Sequence, residues 1–178
     1  SRVVVLSPTH YYPINSIAVS SAEYFETPLG NIEVDQAAIQ KLISNGSVEY
    51  LDQAFEREHA LEVHLPFLQH KLEHFKLVPV IVGQILPEKV LPIFESFNTD
   101  DTLFVVSTDL SHFHDYQTCQ EIDSNTTQIF TELDYSKLNS DNACGYYPLK
   151  GLFMWAQKNG FKLEVIDQRN SGDTAGDK

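Results

Sequence analysis

Positive charge is scarce in this chain: twelve Lys and Arg stand against twenty-five Asp and Glu, a formal charge of −13 over 178 residues. Phosphate backbones and anionic bilayer surfaces are held by clustered basic side chains, so nucleic acid and membrane are both excluded as partners. Long apolar runs are missing too. No stretch approaches the roughly 18–20 residues that a bilayer span requires, and with the chain opening on Val3-Val4-Val5 no signal peptide is expected. Cysteine is limited to Cys119 and Cys144, too few for a disulfide framework and suited to a reducing compartment, so a cytoplasmic location is expected. There are no internal repeats, low-complexity segments or linkers, and no Gly-x-Ser-x-Gly elbow, Walker lysine loop or Rossmann glycine fingerprint. What remains has ordinary composition, 42% hydrophobic and 21% charged, and is long enough to bury a core without staples. A single domain over residues 1–178 is expected. The chain opens without Met inside a strand-like run, so natural terminal sequence beyond it is expected as well.

Short apolar runs alternate with amphipathic ones. Val3–Leu6, ended by Ser7-Pro8, predicts a buried strand feeding a loop, and Ile17–Val19 a second strand. Pro28-Leu29-Gly30-Asn31 marks a turn, after which Asp35 caps a helix that Asn45-Gly46 ends. Leu61, Leu65, Leu68 and Leu72 repeat at helical spacing between Arg57 and Phe75, with a kink or break expected at Pro66. Leu77–Val82 and Thr102–Val106 predict strands on either side of a Pro87–Phe97 helix. Helices over Tyr116–Leu133 and Leu149–Lys158, and a last strand over Phe161–Ile166, complete the pattern. Strands separated by helices predict one α/β domain whose sheet is covered on both faces.

In such sheets, sites gather in the loops that leave the carboxyl ends of strands. His10 falls in the loop after Val3–Leu6, and Asp109 and His112 in the loop after Leu103–Val106, while Cys144-Gly145 opens onto a helix. Convergence of His10, Asp109, His112 and Cys144 at one sheet edge follows. A fourth cluster, Glu58-His59-Ala60-Leu61-Glu62-Val63-His64, fails both metalloprotease patterns. On an ideal helix His59 and His64 point roughly 140° apart, so one of them is a candidate ligand and the other a supporting neighbour. Spacing leaves open which is which. Ordinary roles compete at each position. Asp109 with Ser111 could cap the next helix, and Cys144 could be a small buried hydrophobe. Tyr11, Tyr12, Tyr146 and Tyr147 suit either a pocket wall or a core. His70 and His74 read as solvent-facing, and Cys119 and His114 as structural. Gly172–Asp177 has the look of a phosphate loop without its lysine.

Taken in order, S-P-T-H (Ser7–His10), E-H-A-L-E-V-H-L-P-F-L-Q (Glu58–Gln69), S-T-D-L-S-H (Ser107–His112), A-C-G-Y-Y-P-L (Ala143–Leu149) and N-S-G-D-T-A-G-D-K (Asn170–Lys178) resemble the Memo family. The final segment resembles its bacterial and archaeal branch, AmmeMemoRadiSam system protein B. The resemblance implies the fold of class III extradiol dioxygenases: a single α/β domain with a mainly parallel central sheet flanked by helices. It implies His10, His59 and Cys144 as metal ligands, selecting His59 over His64, with Asp109 and His112 as catalytic neighbours. Tyr11, His64 and Gly145 then belong to the binding surface. Iron(II) is the first metal implied, with copper or zinc as alternatives because a thiolate replaces the usual carboxylate ligand. The implied function is a metal-dependent oxidoreductase acting on an unidentified small molecule. The alternative is a non-catalytic binding or regulatory protein that keeps the pocket, and a weaker third is a zinc hydrolase. AMMECR1-like and radical SAM proteins are the implied partners. The chain departs from the family pattern in opening its first motif with Ser7-Pro8 rather than Gly-Pro, and in carrying Tyr11 where some relatives have a second histidine.

Overall fold

Val3, Val4, Val5 and Leu6 are all 0% exposed, and this run, strand β1 (Arg2–Ser7), is the spine of the molecule. The structure is a computed structural model describing residues 1–174 and 176. The end of the Asn170–Lys178 motif, and with it part of the glycine–aspartate stretch, lies outside the described residues. After β1 come β2 (Ile17–Val19), a hairpin of β3 (Tyr24–Thr27) and β4 (Gly30–Glu33), helix α1 (Gln36–Ser44) and β5 (Glu49–Tyr50). Short helices α2 (His59–Glu62) and α3 (Leu65–Lys71) precede β6 (Lys76–Val82), α4 (Pro87–Ser96) and β7 (Thr102–Val106). Helices α5 (Tyr116–Glu132) and α6 (Tyr146–Asn159) follow.

The central sheet runs β5-β2-β6-β1-β7. Strand β1 is parallel to both β6 and β7, β2 is parallel to β5, and β2 meets β6 antiparallel. The expected α/β architecture with a mainly parallel sheet is therefore what forms. Period-two alternation splits β1 between two cores. Val4 and Leu6 pack with Ile39, Leu42, Val90, Phe94 and Trp155 under α1, α4 and α6. Val3 and Val5 face Leu61, Leu65 and Leu77 beneath α2 and α3. A third cluster joins α5 to α6 through Ile129, Leu133, Leu149 and Phe153. Pro79, which has no N–H for a ladder, is tolerated in β6 because the pairing with β2 stops at Val80.

The break expected at Pro66 is present: the Arg57–Phe75 stretch forms two short helices, with Pro66 in the first turn of α3, where its missing N–H is harmless, so α3 starts afresh rather than continuing α2. Two expectations need correction. The helix expected from Leu149 begins at Tyr146, since Gly145 is its N-cap. Phe161–Ile166 is not a strand. It alternates apolar and polar residues, yet pairs with nothing described, and Ile166 stays 92% exposed. Among the described residues no helix is long and apolar enough to cross a membrane.

Candidate metal centre

Two loops share the carboxyl edge of the sheet because β1 and β7 are neighbours, a relation extended by the Ser107 N–H donating to the Leu6 carbonyl at 2.8 Å. The loop after β1 turns back at once, with the Thr9 hydroxyl donating to the Tyr12 carbonyl at 2.7 Å. That turn brings His10 against Glu58, forty-eight residues away in sequence. The His10 backbone N–H donates to Glu58 Oε2 at 2.6 Å, and His10 Nδ1 lies 2.8 Å from Oε1. The same Oε1 accepts the Ala60 N–H at 3.0 Å, which makes Glu58 the N-cap of α2 and fixes the start of the helix that carries His59. His59 Nδ1 lies 3.8 Å from Oε1. The imidazoles of His10 and His59 stack with centroids 4.9 Å apart and planes 23° from parallel. Burial works to raise the Glu58 carboxyl, but hydrogen bonds from the His10 side chain and from the Ala60 and His10 backbones hold it below the ordinary glutamate range.

A second group forms between the β7 loop and the start of α6. Cys144 Sγ accepts the Asp109 N–H at 3.2 Å and lies 3.7 Å from Thr108 Oγ1. His112 Nε2 lies 3.7 Å from Asp109 Oδ2. Helix α5 is capped by Asp115, which accepts the Thr118 N–H at 3.0 Å, so Asp109 is not the helix cap that Asp109-Leu110-Ser111 resembled. Gly145 is a close-approach position: a Cβ there would meet the Ser107 carbonyl oxygen at 2.6 Å and Thr108 Cβ at 2.8 Å. His64 is the N-cap of α3 rather than part of the helix that carries His59, and its Nε2 lies 2.9 Å from Ser107 Oγ. Burial pushes the His64 imidazole down, and the charge of Asp109 opposes this in part.

The candidate ligands thus divide. His10 and His59 come together with Glu58, and Cys144 with Asp109 and His112; within each group the donor atoms lie within 4.8 Å of one another. Tyr11 meets the edge of the His59 ring, with centroids 5.9 Å apart, while the Arg57 guanidinium covers Tyr11 from 4.9 Å. Tyr11 and Tyr12 line a cavity of about 350 Å³ with Gln53 and Arg57. A cavity of about 680 Å³ lies against the β7 loop and includes Asp109, His112, Phe113, Cys119, Asp123 and Arg169 in its wall. The Tyr146 and Tyr147 rings meet at a tilt with centroids 4.1 Å apart and pack against the hydrophobic clusters, which answers the choice between pocket and core for that pair.

Each group offers an imidazole, and the second adds a thiol, donor types that fit a borderline-soft transition ion. Both rings are reachable, with side-chain exposures of 31% at His10 and 54% at His59. Glu58 was missed from sequence. Its position directly before His59, where a residue can cap a helix, was the available signal. Asp123 was also missed: it is buried, accepts the Ser111 N–H at 3.0 Å and takes the Cys119 thiol at 3.3 Å, so it braces the β7 loop from α5.

Comparison with known proteins agrees with this arrangement of motifs. The Memo family model, described as a Memo-like protein, matches residues 1–178. A MEMO1 family protein of Sulfurisphaera tokodaii is 29% identical over 191 residues, covering 99% of this chain and 67% of that relative. MEMO1 family proteins of Saccharolobus solfataricus and Saccharolobus islandicus are each 27% identical with the same coverage.

Proposed function

Because the chain belongs to the Memo family, we propose that it holds a metal ion at the carboxyl edge of its sheet and acts as an oxidoreductase on a small molecule. His10 and His59 take the ion through their imidazoles and Cys144 provides a soft third donor. Iron(II) is the first choice, with copper and zinc as alternatives for a set that includes sulfur. The observation that carries this reading is the stacked pair of imidazoles on a buried carboxylate, together with a second donor group in which Cys144, at the entrance of α6, meets Asp109 and His112 of the β7 loop. When bound, the ion supplies Lewis acidity and, for iron or copper, one-electron chemistry.

The chain's own groups supply binding and proton handling. Asp109 and His112 form the acid–base pair, placed to hold or move a proton at a substrate heteroatom. Coordination takes Cys144 as the thiolate, and the Asp109 N–H is aimed at its sulfur. Tyr11, held under Arg57, walls the approach to His59.

A second reading, a binding or regulatory protein that retains the pocket, is favoured by how open the site is: the Asp109 side chain is 84% exposed. On that reading AMMECR1-like and radical SAM proteins are the partners to try. Anaerobic loading with iron(II), followed by oxygen uptake across a panel of small molecules, separates the two. Uptake that is lost in His10→Ala supports the oxidoreductase. A fully loaded site that consumes no oxygen with any compound supports the binding protein.

A further inference from the structure

Glu58 is the buried charge that the proposed chemistry leaves without a role. Its side chain is 1% exposed, between two histidines that solvent reaches. A carboxylate in such a place is costly unless its oxygens have donors. They do: Oε2 accepts the His10 N–H, and Oε1 accepts the Ala60 N–H and faces His10 Nδ1. A carboxylate only accepts, so the hydrogen between Oε1 and His10 belongs to Nδ1, and in the neutral ring Nε2 then carries the lone pair. The contact joins the loop after β1 to the first turn of α2, alongside the stacking of His10 on His59 and the edge contact of Tyr11 with His59.

We infer that Glu58 is a positioning residue for the metal centre: its carboxylate fixes His10 as the Nδ1–H tautomer, sets His59 at the start of α2, and leaves the Nε2 atoms free to take an ion. This rests on the reading of His10 and His59 as ligands. The competing role for Glu58, direct ligation within the His10–Glu58–His59 group, would require a carboxylate with three donors around it to give up hydrogen bonds from a site closed to solvent. A histidine braced through one nitrogen and ligating through the other is the general arrangement in metal sites, and loss of such a brace weakens binding by about 10–100-fold.

The test uses the whole chain in two states. In the metal-free protein, nitrogen–proton correlation spectra of the histidine rings should show His10 protonated on Nδ1, and Glu58→Gln, whose amide can also turn a donor toward Nδ1, should weaken that preference. Loaded with cobalt(II), wild type and Glu58→Gln should share the same ligand-field spectrum, while chelator competition shows the variant weaker by about 10–100-fold. His10 protonated on Nε2 in wild type would overturn the inference, whatever the variant's stability. So would an unchanged tautomer and affinity in Glu58→Gln, or a cobalt(II) spectrum in the variant that has lost a ligand. If wild type takes up no cobalt(II), the metal reading fails, and the tautomer measurement still decides whether Glu58 fixes His10.

Discussion

Asp109 and Cys144 hold each other twice: the Asp109 N–H donates to Cys144 Sγ, and the Cys144 N–H donates to the Asp109 carbonyl, each at 3.2 Å. This reciprocal pair fastens the loop after β7 to the entrance of α6. It also fixes where the thiol sits relative to the side chains of Asp109, thirty-five residues away in sequence, and His112.

Alkylation reads that thiol directly. With the metal site empty, iodoacetamide should label Cys144. One equivalent of zinc should then protect it at least tenfold, while Cys119, hydrogen-bonded to Asp123 on α5, keeps its rate as an internal control. Peptide mapping by mass spectrometry gives both rates, and equal labelling of Cys144 with and without zinc would count against coordination there.

Gly145 has no room for a side chain. Gly145→Ala drives a Cβ into the Ser107 carbonyl and Thr108, and overpacking of this kind costs about 1–3 kcal/mol. The urea midpoint should fall accordingly, and zinc affinity should fall with it, because the clash displaces the Cys144–Asp109 pair. An unchanged midpoint would show that α6 can shift to make room.

His64 makes stability depend on pH. Its folded value lies below the ordinary 6.5, through burial, so between the two values the unfolded chain binds the extra proton. The contribution of His64 is complete above about pH 6.5 and is lost as pH falls through the folded value. His64→Gln keeps a polar group facing Ser107 and cannot titrate. The wild-type denaturation midpoint should therefore drop more steeply than the variant's from pH 7 to pH 5, and parallel curves would remove His64 as the cause.

Much of this arrangement was legible in the sequence, because it depends on local rules. The all-apolar β1 run, the loop residues that follow β1 and β7, and the break at Pro66 all come from period two, proline's missing N–H and the geometry of parallel sheets. What was not legible depends on contacts far apart in the chain. Glu58 has no visible role in the sequence until the β1 loop folds onto it. Phe161–Ile166 has the composition of a strand, but a strand is defined by its neighbour, and no described segment pairs with it. The split of His10 and His59 from Cys144 is likewise a matter of how two loops turn, which residue spacing does not encode.

Phe113 marks strain beside the site. It is fully exposed and non-glycine, with φ of 62°, a conformation that costs an L-residue about 1–2 kcal/mol. Phe113→Gly should leave the thermal midpoint unchanged or higher, whereas Phe113→Val, β-branched and least suited to that region, should lower it. The reverse order would show that the Phe113 ring, 5.8 Å from His112, contributes more than its backbone costs.

The central claim is that His10, His59 and Cys144 hold one metal ion. Metal content of the protein after anaerobic loading with iron(II) and removal of excess tests it most directly, in wild type, His10→Ala, His59→Ala, Cys144→Ala and the exposed-surface control His70→Ala. About one ion per chain is expected in wild type and His70→Ala, and a clear loss in each of the other three. A wild-type chain that retains no iron, copper or zinc, or one that keeps a full ion after loss of His10 or His59, would contradict the account.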